Sequence, residues 1–220
     1  MKKLWSTSAV LVFAASVVVA TSLNVKATPD PGGGQVMTVR QHAFYSDLRK
    51  LWEDHITWTR CFIVSAIGDL PDAPVAAGRL LRNQVDLGDA IKPFYGDAAG
   101  AHLTDLLTDH ILIAAAIINA AKVGDAAEVG AQLVLWYANA DEIADFLSSA
   151  NPKHGPKGMM RQMMKDHLDL TLGEAVAQLT GDFATSVAKY DAVHLEALEM
   201  SDMLAEGIIA QYPKQFGPGH

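Results

Sequence analysis

Residues 106–126 read LLTDHILIAAAIINAAKVGDA, and they decide the fold of this chain. Leu103, Leu106 and Leu107 precede His110, and Ile111, Ala114, Ile117, Ile118 and Ala121 follow it. At about 100° per residue these positions form one broad apolar helix stripe, and His110 lies inside it. Gly124-Asp125 then closes the helix, with Gly as the expected left-handed stop and Asp as a cap for the next helix.

The same pattern recurs on both sides. Residues 51–70 read LWEDHITWTRCFIVSAIGDL, and 163–183 read MMKDHLDLTLGEAVAQLTGDF. Each copy carries Asp-His near its start (Asp54-His55, Asp109-His110, Asp166-His167) and Gly-Asp near its end (Gly68-Asp69, Gly124-Asp125, Gly181-Asp182). The His-to-Asp separations are 14, 15 and 15 residues. Beyond the turns, a count of 14 from each Asp reaches Asn83, Asn139 and Glu196, and a count of 20 reaches Asp89, Asp145 and Asp202. Repetition at a fixed period predicts three tandem helical hairpins, over about 42–96, 100–150 and 157–212, packed as an all-α six-helix up-down bundle spanning 42–216. Pro71 and Pro74, Pro93 to Gly96, and the connector 151–158 punctuate the divisions.

Composition agrees. Half of the residues are apolar and only 7% aromatic, so the core is aliphatic. Seventeen basic against 25 acidic residues give a net charge of −8, which speaks against a nucleic-acid partner. The single cysteine, Cys61, excludes an internal disulfide and a cysteine-built metal centre, and its place beside the stripe predicts a buried thiol.

The first 27 residues read as an export signal. Lys2 and Lys3 precede an apolar run from Ala9 to Ala20, and Val25-Lys26-Ala27 suits cleavage after Ala27. The run is shorter than the roughly 20 residues of a membrane helix, so no stable span is expected after cleavage. Residues 28–41 read as a flexible leader and 217–220 as a tail. The expected location is periplasmic or extracellular.

The chemistry concentrates in the repeated histidines. In each hairpin the stripe histidine stands level with a polar residue of the return helix: His55 with Asn83, His110 with Asn139, and His167 with Glu196 or His194. Neutral imidazoles with neighbouring carboxylates are ordinary metal ligands, and bundles build such sites in their interiors. His55, His110, His167 and His194, with Glu174 or Glu196, therefore form a candidate site for a transition-metal ion, whether zinc, copper or iron. The competing expectation is a structural layer in which each histidine bonds its facing residue and fixes helix register. Met159, Met160, Met163 and Met164 read as core filler before copper ligands. Asp89, Asp145 and Asp202 fall opposite the stripe, on an expected solvated face. No P-loop, dinucleotide glycine pattern, Gly-x-Ser-x-Gly elbow or His-Glu-x-x-His motif supports an enzyme.

Leu51-Trp52-x-Asp54-His55 with Thr59-Arg60, Arg79–Gln84, Asp89–Gly96, Trp136–Ile143, Ser149–Pro152 and Glu206–Ile209 with Gln211–Pro213 resemble a family of small all-helical bacterial proteins. The family is essentially uncharacterised and often carries an automatic glycosyltransferase label. The resemblance implies the all-helical domain. The label finds no nucleotide-sugar pattern and no Asp-x-Asp motif in this chain.

Overall fold

The computed structural model describes residues 37–217; the expected export signal, most of the expected leader and the last three residues lie outside that range. Within it the chain forms six helices and no strand. They are α1 (Val39–Ile67), α2 (Ala73–Tyr95), α3 (Asp97–Lys122), α4 (Ala126–Ala150), α5 (Lys157–Leu179) and α6 (Phe183–Gln211). Each helix packs against its sequence neighbours, and α6 packs back on α1. Across the interior, α1 also meets α3 and α5.

Helix α1 starts inside the stretch 28–41 that the sequence suggested was leader. Thr38 caps it reciprocally: the Thr38 hydroxyl oxygen accepts from the Gln41 N–H, and the Thr38 N–H donates to Gln41 Oε1 at 2.8 Å. The same hydroxyl donates to the Phe216 carbonyl at 2.7 Å, tying the start of α1 to the end of the described chain.

The turns that follow α1, α3 and α5 share one geometry, shifted once. Gly124 (φ 74°) and Gly181 (φ 78°) take the left-handed conformation expected of them. In the first turn Gly68 does not (φ −79°), and Asp69 takes it instead at φ 52°. In every case the next N–H reaches back five residues: Leu70 to the Ser65 carbonyl, Asp125 to Ala120, Asp182 to Ala177. Counted to the left-handed residue, the distance from histidine is 14 in all three hairpins. Asp125 and Asp182 then cap α4 and α6 as expected, accepting from the Glu128 and Thr185 N–H groups. Asp69 caps nothing. It ion-pairs with Lys122, and α2 begins after Asp72, with Pro74 in its first turn.

The aliphatic core runs the length of the bundle, from Leu48, Leu103 and Met160 through Ile56, Ile111 and Leu168 to Ile63 and Ile117, all buried. Helix α3 is long and apolar enough to cross a membrane by composition, and Leu103, Leu106, Leu107, Ile111, Ile117 and Ile118 spend that apolarity in the core.

The seams between hairpins are of two kinds. Asp145 of α4 binds Arg161 of α5, and Asp202 of α6 binds Arg49 of α1. These aspartates therefore do more than face solvent. The α2–α3 seam has no such pair and closes on glycine: a Cβ on Gly88 would lie 2.0 Å from Thr104 Oγ1 and 2.5 Å from the Gly100 carbonyl oxygen.

Candidate functional site

The three stripe histidines meet. His55 of α1, His110 of α3 and His167 of α5 are each 4% exposed, and His167 sits between the other two, with ring centroids 5.8 Å from His55 and 6.3 Å from His110. Convergence follows from the contacts of α1 with α3 and α5, which turn the odd-numbered helices' stripes toward one level.

Each ring is held on its Nδ1 side by a residue 29 positions further on. His110 Nδ1 lies 3.0 Å from Asn139 Oδ1, His167 Nδ1 lies 3.0 Å from Glu196 Oε2, and His55 Nδ1 lies 3.3 Å from Gln84 Nε2. The return residue of the first hairpin is thus Gln84, one position past the expected Asn83. Counted from the left-handed residue of each turn, Gln84, Asn139 and Glu196 all stand 15 further on, so the register is the same and only the count from Gly-Asp falls one short. Asn83 keeps half of the role: its amide donates to the Leu51 carbonyl at 2.9 Å, as Asn139 donates to the Leu106 carbonyl at 3.0 Å. Both carbonyls belong to residues four before the histidine.

Backbone contacts orient the amides. Asn139 points its nitrogen at Leu106, so its oxygen receives the His110 Nδ1–H. Glu196 offers only acceptors to His167. Gln84 donates to the Leu80 carbonyl at 2.8 Å and to Asn83 Oδ1 at 3.4 Å, its nitrogen lies 3.3 Å from His55 Nδ1, and Asn83 also hydrogen-bonds the His55 ring. Among the described residues the three ring Nε2 atoms have no hydrogen-bond partner, and neither do the buried Gln84 Oε1 and Glu196 Oε1.

Aromatic neighbours lock the rings. His110 stacks on Trp136, whose indole N–H donates to the His110 carbonyl at 3.1 Å, and Trp52 meets His55 edge-on at 5.8 Å. Burial, and then the neighbouring imidazoles, push the His55 pKa down to about 3; burial and the neighbouring His167 do the same for His110. Both rings are neutral at any ordinary pH.

The other expected ligands stand elsewhere. His194 is half-buried on the side of α6, stacked on Tyr190, with Nε2 2.8 Å from Glu53 Oε2. Glu174, two turns beyond His167, is 1% exposed and bound at 3.0 Å by Arg60, which also donates to Ser186; Ser186 in turn donates to Gln178. Burial pushes the Glu174 pKa up while Arg60 draws it back. That network explains why the third stripe is the most polar, and Arg60 carried no sequence signal that it would reach across to α5. As the side chains stand, no three His, Cys, Asp or Glu among the described residues are close enough together to hold an ion. Cys61 is exposed, against expectation, because it lies beyond the stripe's edge.

The chain matches no protein-family model, no curated protein and no solved structure.

Proposed function

We propose that this chain is an exported, non-catalytic helical bundle, built up-and-down from three tandem hairpins, that binds one transition-metal ion through His55, His110 and His167. Membership of the uncharacterised all-helical family is part of the same proposal. One observation carries it: three buried imidazoles lie side by side, each held from behind on its Nδ1 side, as metal-ligating histidines are. Three imidazoles on one zinc ion, with bonds of about 2.0 Å, place their ring centroids about 5 Å apart. His167 stands 5.8 Å from His55 and 6.3 Å from His110, so the two flanking rings must move inward to share an ion with it. Glu196 supplies a carboxylate behind His167.

Gln84 sets the cost of loading. A ligating His55 carries its proton on Nδ1, so the Gln84 nitrogen 3.3 Å away must turn and its free Oε1 receive that proton. That turn gives up the bond to Leu80. The same contacts favour a second reading, a register layer with no ion, in which each ring is simply held by the residue 29 positions further on.

Zinc and copper titrations, read by calorimetry and by melting temperature, separate the two. Binding predicts about one equivalent, a melting temperature that rises with free ion, and tighter uptake, by about tenfold, in Gln84→Glu, which gives His55 the acceptor His167 already has. Absence of uptake in both proteins would sink the metal reading and leave the register layer.

A further inference from the structure

Beneath the rings, toward the starts of α1, α3 and α5, lies a cavity of about 60 Å³. His55, His110 and His167 form its inner end, and its walls are alkyl, from Leu87, Leu103, Ile143 and Met160 among others. Asn151, His154 and Gly155, from the connector between α4 and α5, cover the outer end. That connector sits tightly on α6: a Cβ on Gly207 would lie 3.1 Å from Asn151 Nδ2 and 3.1 Å from His154 Cβ.

Volume selects the occupant first. A dry alkyl cavity of about 150 Å³ holds benzene, with six heavy atoms, so about 60 Å³ has room for roughly two or three. Chemistry selects next. Alkyl walls return no hydrogen bonds, so an ion or a strongly polar molecule would surrender its hydration on entry. A small apolar molecule has little hydration to lose and is pushed out of water. It also restores to the wall atoms the dispersion contacts that a void withholds, and a void left empty weakens the fold. These demands converge on apolar diatomics.

We infer that this cavity binds one molecule of an apolar diatomic gas, held between the alkyl walls and the His55–His110–His167 layer. The fit is one of volume and wall chemistry. It uses no ion and no ring proton, so it stands apart from the metal proposal.

Dioxygen is the probe, because it is paramagnetic and speeds the relaxation of any methyl it touches. Methyl spectra of the full chain, in chelator, are compared under nitrogen, under dioxygen, and under dioxygen with xenon, an atom that apolar cavities also take up. The expected enhancement at Leu87, Leu103, Ile143 and Met160 is at least about threefold that at Leu168 and Val193, which are buried outside the cavity. Xenon should reduce it by competition, and methanol at the same concentration should leave it unchanged. Leu204→Trp, which fills the space from its wall, should abolish the selective part while the helical spectrum persists; Ala150→Phe, also on the lining, serves if that variant does not fold. Uniform relaxation of all buried methyls, displacement by methanol and not by xenon, or a selective effect that survives both filling variants would each overturn the inference. Zinc uptake is read separately by calorimetry, so either property can fail without the other.

Discussion

The α1–α2 and α3–α4 helix pairs meet the same demand with different side chains. Around His110, Asn139 alone receives the ring proton and binds the carbonyl one turn back. Around His55 those duties fall to two adjacent residues: Asn83 binds the carbonyl, and Gln84 faces the ring with a donor where Asn139 presents an acceptor. The turns differ in length, since Gly124 leads into α4 through Asp125 alone whereas Asp69 is followed by Leu70, Pro71 and Asp72 before α2 begins, yet the ring partner stands 29 residues after its histidine in every case. The difference between the two pairs is therefore one of side-chain identity at a constant register.

Acid gives the largest effect, and it tests what the two hairpins share. His55 and His110 both titrate near pH 3 in the folded chain and near 6.5 when unfolded. The unfolded chain therefore binds more protons between those values. Stability is full above pH 6.5 and is lost as pH falls toward 3. Between neutrality and about pH 5 the loss should be on the order of 4 kcal/mol, read from urea midpoints. A flat profile in that window would show that the rings are solvated and the layer open.

Next comes the seam that joins the two hairpins. Gly88→Ala places a methyl against Thr104 and the Gly100 backbone, which no rotamer change relieves, because one of the two obstacles is main chain. Overpacking of this kind should cost about 3 kcal/mol in a urea melt. A loss below about 1 kcal/mol would mean that α2 and α3 separate easily.

The smallest effect measures the division of labour itself. Asn139→Ala strands the His110 Nδ1–H and should cost about 2 kcal/mol, while Asn83→Ala leaves Gln84 facing the His55 ring and should cost about 1 kcal/mol. Equal losses would show that Asn83 and not Gln84 holds the His55 ring.

Much of this was legible in one dimension. The stripes around His55, His110 and His167 give the helices and bury the rings, since 3.6-residue periodicity needs no knowledge of neighbours. Asn139 and Glu196 were found by counting from the turn, because two helices joined by a short fixed turn pair residues by arithmetic. Counting failed at Gln84, where the turn shape differs and Gly68 yields its role to Asp69. It failed also for Glu174 and His194. Glu174 belongs to Arg60, 114 positions away, and His194 belongs to Glu53, 141 positions away. No local pattern encodes such meetings.

Sequence by itself determined the helices, their boundaries to within a few residues, the inward face of each histidine and two of the three return partners. Those follow from short-range periodicity, capping and turn chemistry. Tertiary structure alone decided that the three rings come together, that Gln84 faces His55, that Arg60 takes Glu174 from the layer, and that an alkyl-lined cavity opens beneath the rings. Such outcomes depend on how stripes from three separate hairpins rotate toward one axis. Side-chain packing across all six helices sets that rotation, and no single hairpin contains it.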